Sequence, residues 1–343
     1  MIVSNKYLTP FLGLLLLLMA CLTLNIGLGS VRIPFGDVMT VLLGGEIEKE
    51  TWQYIIENYR IPKAITALLV GAGLGVSGLL MQTLFRNPLA GPFVLGISSG
   101  ASLGVALLIM GSGIFGGVLA SIVTSHYGTV IAATLGSFLV LLLIVLVANR
   151  VRDTMAILII GLMFGSITTA IVSVLAFFSS SEQLQQYIFW SFGSLGDLSW
   201  SDLGIFALVF FFGILLTTFS LKALNALLLG ENYAQSLGVD IKRNRLLIIL
   251  ATSLLAGSAT AFVGPIAFIG LAIPHLTRQL FNTNNHTVLF PAVVLFGAIL
   301  MLVCDTISQL PTSELSLPIN AVTSIIGAPV VIWLLVRKRK MVF

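Results

Sequence analysis

The chain has 343 residues, 57% hydrophobic and 9% charged, with a formal net charge of +4. A soluble domain carries roughly 25% charged residues, so these few charges cannot cover a water-facing surface of this size, and most of the protein must be solvated by lipid. The positive balance is not a nucleic-acid signal, because the basic residues sit in short clusters at the ends of apolar runs.

The first apolar run follows Lys6 and contains Leu18-Met19-Ala20-Cys21, which has the look of a lipoprotein cleavage box. It continues to Leu28, long enough to cross a bilayer, so a retained transmembrane helix is expected. Apolar runs approaching the roughly 20 residues of a spanning helix then recur. Counting the first, they lie near residues 8–29, 61–84, 93–111, 116–148, 155–178, 201–221, 246–263, 267–282, 287–307 and 320–336. The expectation is an all-α polytopic membrane protein of about ten transmembrane helices, a single domain over residues 1–343. The run 116–148 has room for a break around Ser125-His126-Tyr127-Gly128, and 267–282 is short and contains Pro274.

Charge sidedness orients these spans. With the N-terminus inside, the inner ends carry Lys6, Arg86, Arg150, Arg152, Lys222, Lys242, Arg243, Arg245, Arg278 and Arg337-Lys338-Arg339-Lys340. The outer ends carry Arg32, Lys49, Arg60 and Lys63, together with Asp37, Glu46, Glu48, Glu50, Glu57, Glu182, Asp197, Asp202 and Glu314. Lysine and arginine alone favour this orientation. An even number of spans places both termini in the cytoplasm.

Between the second and third spans lies the polar elbow Gln82-Thr-Leu-Phe-Arg86-Asn87-Pro88-Leu89-Ala90-Gly91-Pro92, followed by Phe93-Val-Leu-Gly96-Ile-Ser98-Ser99-Gly100-Ala101. Asn87-Pro88 and Gly91-Pro92 read as turns, and Pro92 suits the first turn of a helix. Gly71, Gly75 and Gly78 lie near one face of the second span and read as close helix packing. Gly161, Gly165, Thr169 and Ser173 recur every fourth residue in the fifth span, where they either pack or line a path for a bulky polar solute. Gly91-Pro92-Phe93-Val-Leu-Gly96 is echoed by Gly264-Pro265-Ile266-Ala-Phe-Ile269-Gly270 at the opposite side, as an inverted repeat would have it.

The connection from Lys222 to Arg245 contains Leu227, Leu228, Leu237 and Val239, which are costly to leave bare in water, and Gly230 and Gly238, which read as helix stops. One or two short helices with a docked apolar face are expected there. Asp305 is the one acid placed within the hydrocarbon region, where an ionisable group needs a partner. Pro274 frees a backbone carbonyl that His275 can bond.

Cys21 and Cys304 lie in apolar runs, and His126, His275 and His286 show no ligand spacing, so neither a disulfide framework nor a metal site is expected. No Gly-Lys dipeptide occurs, hence no P-loop. No catalytic residues are expected.

The stretch 82–101 resembles the signature of the permeases that import iron-siderophores, haem and vitamin B12, the membrane subunits of type II ABC importers. Gly264–Arg278 and the last-span stretch Glu314-Leu-Ser-Leu-Pro318-Ile-Asn320 to Gly327-Ala328-Pro329 are similar to further blocks of that family, except that Asn320 stands where Gly is usual. The likeness runs from about residue 59 to the C-terminus. It implies a signature loop at Arg86, Asn87, Pro88, Leu89 and Ala90, and a coupling segment, 223–240, that fits a cleft in the ATP-hydrolysing subunit through Leu227, Leu228, Gly230, Glu231, Ala234, Leu237 and Gly238. It also implies a translocation pathway along Gly161, Gly165, Thr169 and Ser173. Arg60-Ile61-Pro62-Lys63 resembles the family's Arg-Leu-Pro-Arg element, which docks an extracytoplasmic binding protein; Lys63 keeps the charge and loses bidentate geometry. The Arg that often follows the family's Asp is absent after Asp305, and Arg60 is the candidate partner instead. The implied assembly is two permease chains, a homodimer first, with two ATPase subunits that bind ATP and Mg and with the binding protein, in a bacterial inner membrane. This chain itself would hold no cofactor and contact lipid, not nucleic acid. The implied cargo is a metal chelate, ferric siderophore first and cobalamin or haem as alternatives. An ion-coupled secondary transporter is the remaining class, and it would need several charges buried at the membrane centre.

Overall fold

The computed structural model of the chain describes residues 5–111, 126–151, 153–310 and 315–336. Without water, a backbone must satisfy its own N–H and C=O groups, which in a single apolar segment only a helix does. Among the described residues the regular elements are accordingly helical. They are α1 (Asn5–Gly27), α2 (Phe35–Leu42), α3 (Glu50–Ile55), α4 (Ile61–Leu84), α5 (Ile97–Ile109), α6 (His126–Arg150), α7 (Thr154–Phe178), α8 (Ser181–Phe192), α9 (Trp200–Leu227), α10 (Glu231–Ser236), α11 (Ile241–Val263), α12 (Ile269–Phe281), α13 (His286–Ser308) and α14 (Ile319–Val336).

Seven helical runs are long and apolar enough to cross a membrane: α1, α3 to α4, α6, α7, α9, α11 and α13. With the shorter α5, α12 and α14 they account for the ten expected spans. The second span begins earlier than its apolar run, because a π-turn over Ile56–Arg60 joins α3 to α4 in one helical stretch from Glu50 to Leu84. The described part of the fourth span is one helix from His126 through Tyr127 and Gly128; Ser125, at the start of the stretch with room for a break, lies outside the described residues. The basic tetrad 337–340, Arg152 and Glu314 lie outside the described residues.

Helix α4 is the centre of the bundle, buried along nearly all its length and surrounded by α9, α11, α12 and α13. Its glycines bear out the packing reading. A Cβ at Gly71 would collide with the carbonyl of Gly297 in α13, and one at Gly78 with the carbonyl of Gly270 in α12. In lipid, where apolar side chains gain little by meeting one another, such close backbone approach is a main source of helix association. Gly100 and Gly136 do the same between α5 and α6.

Helices α5 and α12 have 13 residues each, a rise of about 20 Å against a hydrocarbon core of about 30 Å. Irregular backbone covers the difference. A 3₁₀ turn, Pro92–Leu95, leads to Gly96 (φ 72°) and α5. Residues 264–267 lead to Phe268 (φ 63°) and α12. The two Gly-Pro echoes thus share one design, a left-handed residue followed by a short helix, and they meet where Gly270 lies against Pro92. Irregular backbone is tolerated at membrane depth where protein satisfies it. The Ala267 N–H donates to Oδ1 of Asn320 at 3.1 Å, and the Ser194 N–H to the carbonyl of Val263 at 2.9 Å. Asn320 therefore pins α14 to this broken stretch.

Polar caps set several helix starts. Ser180 and Gln183 form a reciprocal capping box on α8, as do Ser199 and Asp202 on α9. Asp153, Asp240 and Asn285 cap α7, α11 and α13.

Candidate functional site

The repeat in α7 lines a lateral groove. Gly161, Gly165, Thr169 and Ser173 face a cavity of about 550 Å³ shared with Phe93 and Ser99. The Thr169 hydroxyl donates to the carbonyl of Gly165 and the Ser173 hydroxyl to that of Thr169, each at 2.9 Å. Their own hydrogen-bond need is met within the helix, and each oxygen keeps acceptor capacity facing the groove. A wall of glycine, serine and threonine offers polarity without a strong binding group. Gly96-Ile97-Ser98-Ser99-Gly100 and Gly100-Ala101-Ser102-Leu103-Gly104 have the spacing of a hydrolase nucleophile elbow. Both lie on α5 with no strand before them, and the Ser98 hydroxyl meets that of Thr260.

The elbow after α4 is built by a left-handed end. Arg86 has φ 46°, and the N–H groups of Arg86 and Asn87 return to the carbonyls of Thr83 and Gln82 at 3.3 and 3.1 Å, a Schellman closure made without glycine. Asn87 then accepts the Leu89 N–H at 2.9 Å. Arg86 and Leu89 are exposed, Asn87 and Pro88 half-buried, and Ala90 buried. Nε2 of His275 bonds the carbonyl of Pro88 at 2.8 Å, and Nη1 of Arg278 donates to Gln82 Oε1 at 2.6 Å. His275 is thus structural, as expected, but it holds the elbow rather than the carbonyl freed by Pro274.

Across a cleft of about 980 Å³ from Arg86 stand Leu229, Gly230, Glu231 and Tyr233. Segment 223–240 contains the end of α9, the turn at Leu228–Gly230, and α10. Gly230 (φ 107°) starts α10 and Gly238 (φ 83°) ends it. The latter is a Schellman motif, with the Gly238 N–H on Gln235 and the Val239 N–H on Ala234. Leu227 and Ala234 are buried and Leu228 is half-buried, whereas Leu229 is 63% and Leu237 60% exposed. The apolar face is therefore only partly docked on the chain itself. Glu231 pairs with Arg245 of α11 at 3.1 Å, and Arg245 also donates to the carbonyl of Val151 at 3.3 Å.

At the opposite end the structure corrects one pairing. Asp305, 1% exposed, meets Nζ of Lys63 at 3.1 Å, not Arg60. Its other oxygen accepts from Asn25 Nδ2 at 2.9 Å and Gln309 Nε2 at 2.7 Å. Arg60 is buried and donates to the carbonyls of Ile26, Gly27 and Val31, closing the carboxyl-terminal end of α1, where a cation is favoured. Asn25, Thr83 and Asn225 carried no role in the sequence, and Gln82 and Arg245 stood there only as the start of the elbow and as an inner-end cation. For Asn25 the available signal was a lone amide inside an apolar run.

A single polypeptide with a central glycine-packed helix, a hydroxyl-lined lateral groove and a partly bare coupling-like helix at its basic end is the membrane subunit of a transporter. The sequence profile of the FecCD transport family matches residues 16–337, and the chain belongs to that family. It is 36% identical over 329 residues to the vitamin B12 import system permease protein BtuC of Klebsiella pneumoniae, covering 95% of this chain and 93% of the relative. It is 35% identical over 331 residues to the hemin transport system permease protein HmuU of Yersinia pestis, covering 96% of each. A solved structure assigned to the metal-chelate type of ABC transporter, in an inward-facing conformation, superposes with a TM-score of 0.81 at 32% identity, covering 96% of this chain and 99% of that one. The chain is a multi-pass membrane protein and the permease of a type II ABC importer; ATPase activity in such importers belongs to a separate subunit.

Proposed function

We propose that this chain carries a large metal chelate along the groove of α7, as one of two identical permease chains in a bacterial inner membrane. The observation that carries the reading is the wall of Gly161, Gly165, Thr169 and Ser173, which is open to the side of the single chain. A second copy facing it would complete a path lined by small and hydroxyl side chains with Phe93 and Leu162 among them, which offers no strong binding group, as passage without trapping requires. Ferric siderophore is the first reading of the cargo, supported by its frequency among the substrates of the resembling family. Cobalamin and haem form the second, supported by the activities for which two relatives are named.

Segment 223–240 serves as the ATPase contact, supported by the exposed Leu229, Tyr233 and Leu237 beside an anchored Ala234. Arg86, at the head of the signature elbow, stands on the other wall of that cleft with Leu84, Phe85 and Met155. Docking of the binding protein at the acidic end takes place around Lys63, which is a quarter exposed, while Arg60 shapes that surface from beneath. The test of cargo is uptake into vesicles holding the permease, its ATPase and its binding protein, offered ferric siderophore, cobalamin and haem side by side. Accumulation of ferric siderophore alone is the expected result. Accumulation of cobalamin or haem alone would keep the pathway and replace the cargo.

A further inference from the structure

A polar cluster around the buried His286 ties the root of segment 223–240 to the centre of the bundle. Asn225 lies in the last turn of α9, just before the segment turns away. Its Oδ1 accepts both the backbone N–H and Nδ1 of His286, at 2.8 and 2.9 Å. Its Nδ2 donates to Oδ1 of Asn285 at 3.1 Å. Asn285 in turn caps Thr287 at 3.0 Å, so two asparagines from different helices close the start of α13. Nε2 of His286 lies 2.8 Å from Oγ1 of Thr83, three residues before the left-handed Arg86. His286 is fully buried.

The hydrogen pattern follows from the partners. Because Asn225 Oδ1 can only accept, Nδ1 of His286 carries the proton, and in the neutral ring Nε2 is then an acceptor. Oγ1 of Thr83 lies between two acceptors, the Leu79 carbonyl at 2.9 Å and Nε2 at 2.8 Å, and with this tautomer its single proton goes to Nε2. One imidazole thus joins α9, α13 and α4 at the level where the signature elbow begins. The far part of the segment is held to different helices, through Glu231 and Arg245 of α11.

We propose that His286, held between Asn225 and Thr83, is the positioning residue that transmits movement of segment 223–240 to α4 and α13. The proposal rests on the ATPase-contact reading of that segment. When the segment is pushed at α10, Asn225 moves with the end of α9, and the imidazole passes the displacement to Thr83 and so to the elbow. Without the bond to Thr83, α9 could shift while α4 stayed, and ATP would be hydrolysed with less transport.

The test uses the complete importer in vesicles, with chelate uptake and ATP hydrolysis read in the same sample. Thr83→Val keeps shape and removes the hydroxyl; Thr83→Ser restores it. The expected result is a rise of about fivefold or more in ATP consumed per chelate for Thr83→Val, from slower uptake at near-normal hydrolysis, and a return toward the native ratio for Thr83→Ser. Thermal stability of each assembled complex is measured alongside. A native ratio in Thr83→Val, or equal loss of uptake and hydrolysis in both variants, would overturn the proposal. Failure of the ATPase to bind the unaltered chain would instead overturn the contact reading on which the proposal stands.

Discussion

Asp305 shows how a chain can keep an acid inside a membrane protein. The carboxylate has one cation and two amide donors, from Lys63, Asn25 and Gln309, so its desolvation is offset on both oxygens. Removing Lys63 alone strands a buried charge, whereas removing both partners does not. Lys63→Met is expected to destabilise the purified chain by about 1–3 kcal/mol, the usual cost of a buried group left without its partner. Lys63→Met with Asp305→Leu is expected to cost less than Lys63→Met alone. Thermal melting of the two variants checks this, and simple additivity would contradict it. Gly230 gives a second residue-level expectation. Its backbone, φ 107° and ψ 153°, falls where residues other than glycine pay of order 1–3 kcal/mol. Gly230→Ala is therefore expected to weaken co-purification with the ATPase while the melting temperature of the rest of the chain changes little.

At the scale of elements, the same residue type does two jobs. Gly78 sits where α4 touches α12, and a Cβ there meets backbone that cannot move aside. A Cβ at Gly165 would meet Ser99 Oγ at 3.4 Å, an ordinary contact. Gly78→Ala is expected to cost at least the roughly 1–3 kcal/mol typical of overpacking and to lower the yield of folded protein. Gly165→Ala is expected to leave the melting temperature unchanged and to slow uptake by narrowing the groove. The reverse order of effects would exchange the packing and pathway assignments. Much of this level was legible beforehand. Apolar run length gave the spans, four-residue spacing gave the small-residue faces, and Gly230 and Gly238 gave the ends of α10. The serine boxes at Ser180 and Ser199 were equally readable as helix starts. What could not be read was partner choice. Arg60 and Lys63 are one helical turn apart, and only the three-dimensional path of α1 decides that Arg60 meets carbonyls while Lys63 meets Asp305. His275 likewise carries no sequence mark that its partner is Pro88, 187 positions away.

At the scale of the molecule, the two ends of the bundle differ in chemistry. One exposes Arg86, Arg150, Lys222, Lys242 and Arg243 around the segment 223–240, and the other exposes Glu46, Glu48, Glu50, Glu57, Glu182 and Asp197. Lysine and arginine favour the cytoplasmic side, which supports the proposed ATPase contact at the partly bare α10. Between the ends, the buried charges have partners near the ends of their helices: Lys63 pairs with Asp305 and Arg245 with Glu231, while Arg60 is held by carbonyls, Arg278 by Gln82 and Asp202 by Ser199. That arrangement suits a path driven from outside the membrane more than one driven by ions crossing within it. The most direct measurement is chelate uptake into vesicles containing the permease, its ATPase and its binding protein, with a protonophore and a sodium ionophore present. The account predicts accumulation that requires ATP and survives collapse of both gradients. Uptake that proceeds without ATP and vanishes when a gradient is collapsed would contradict it.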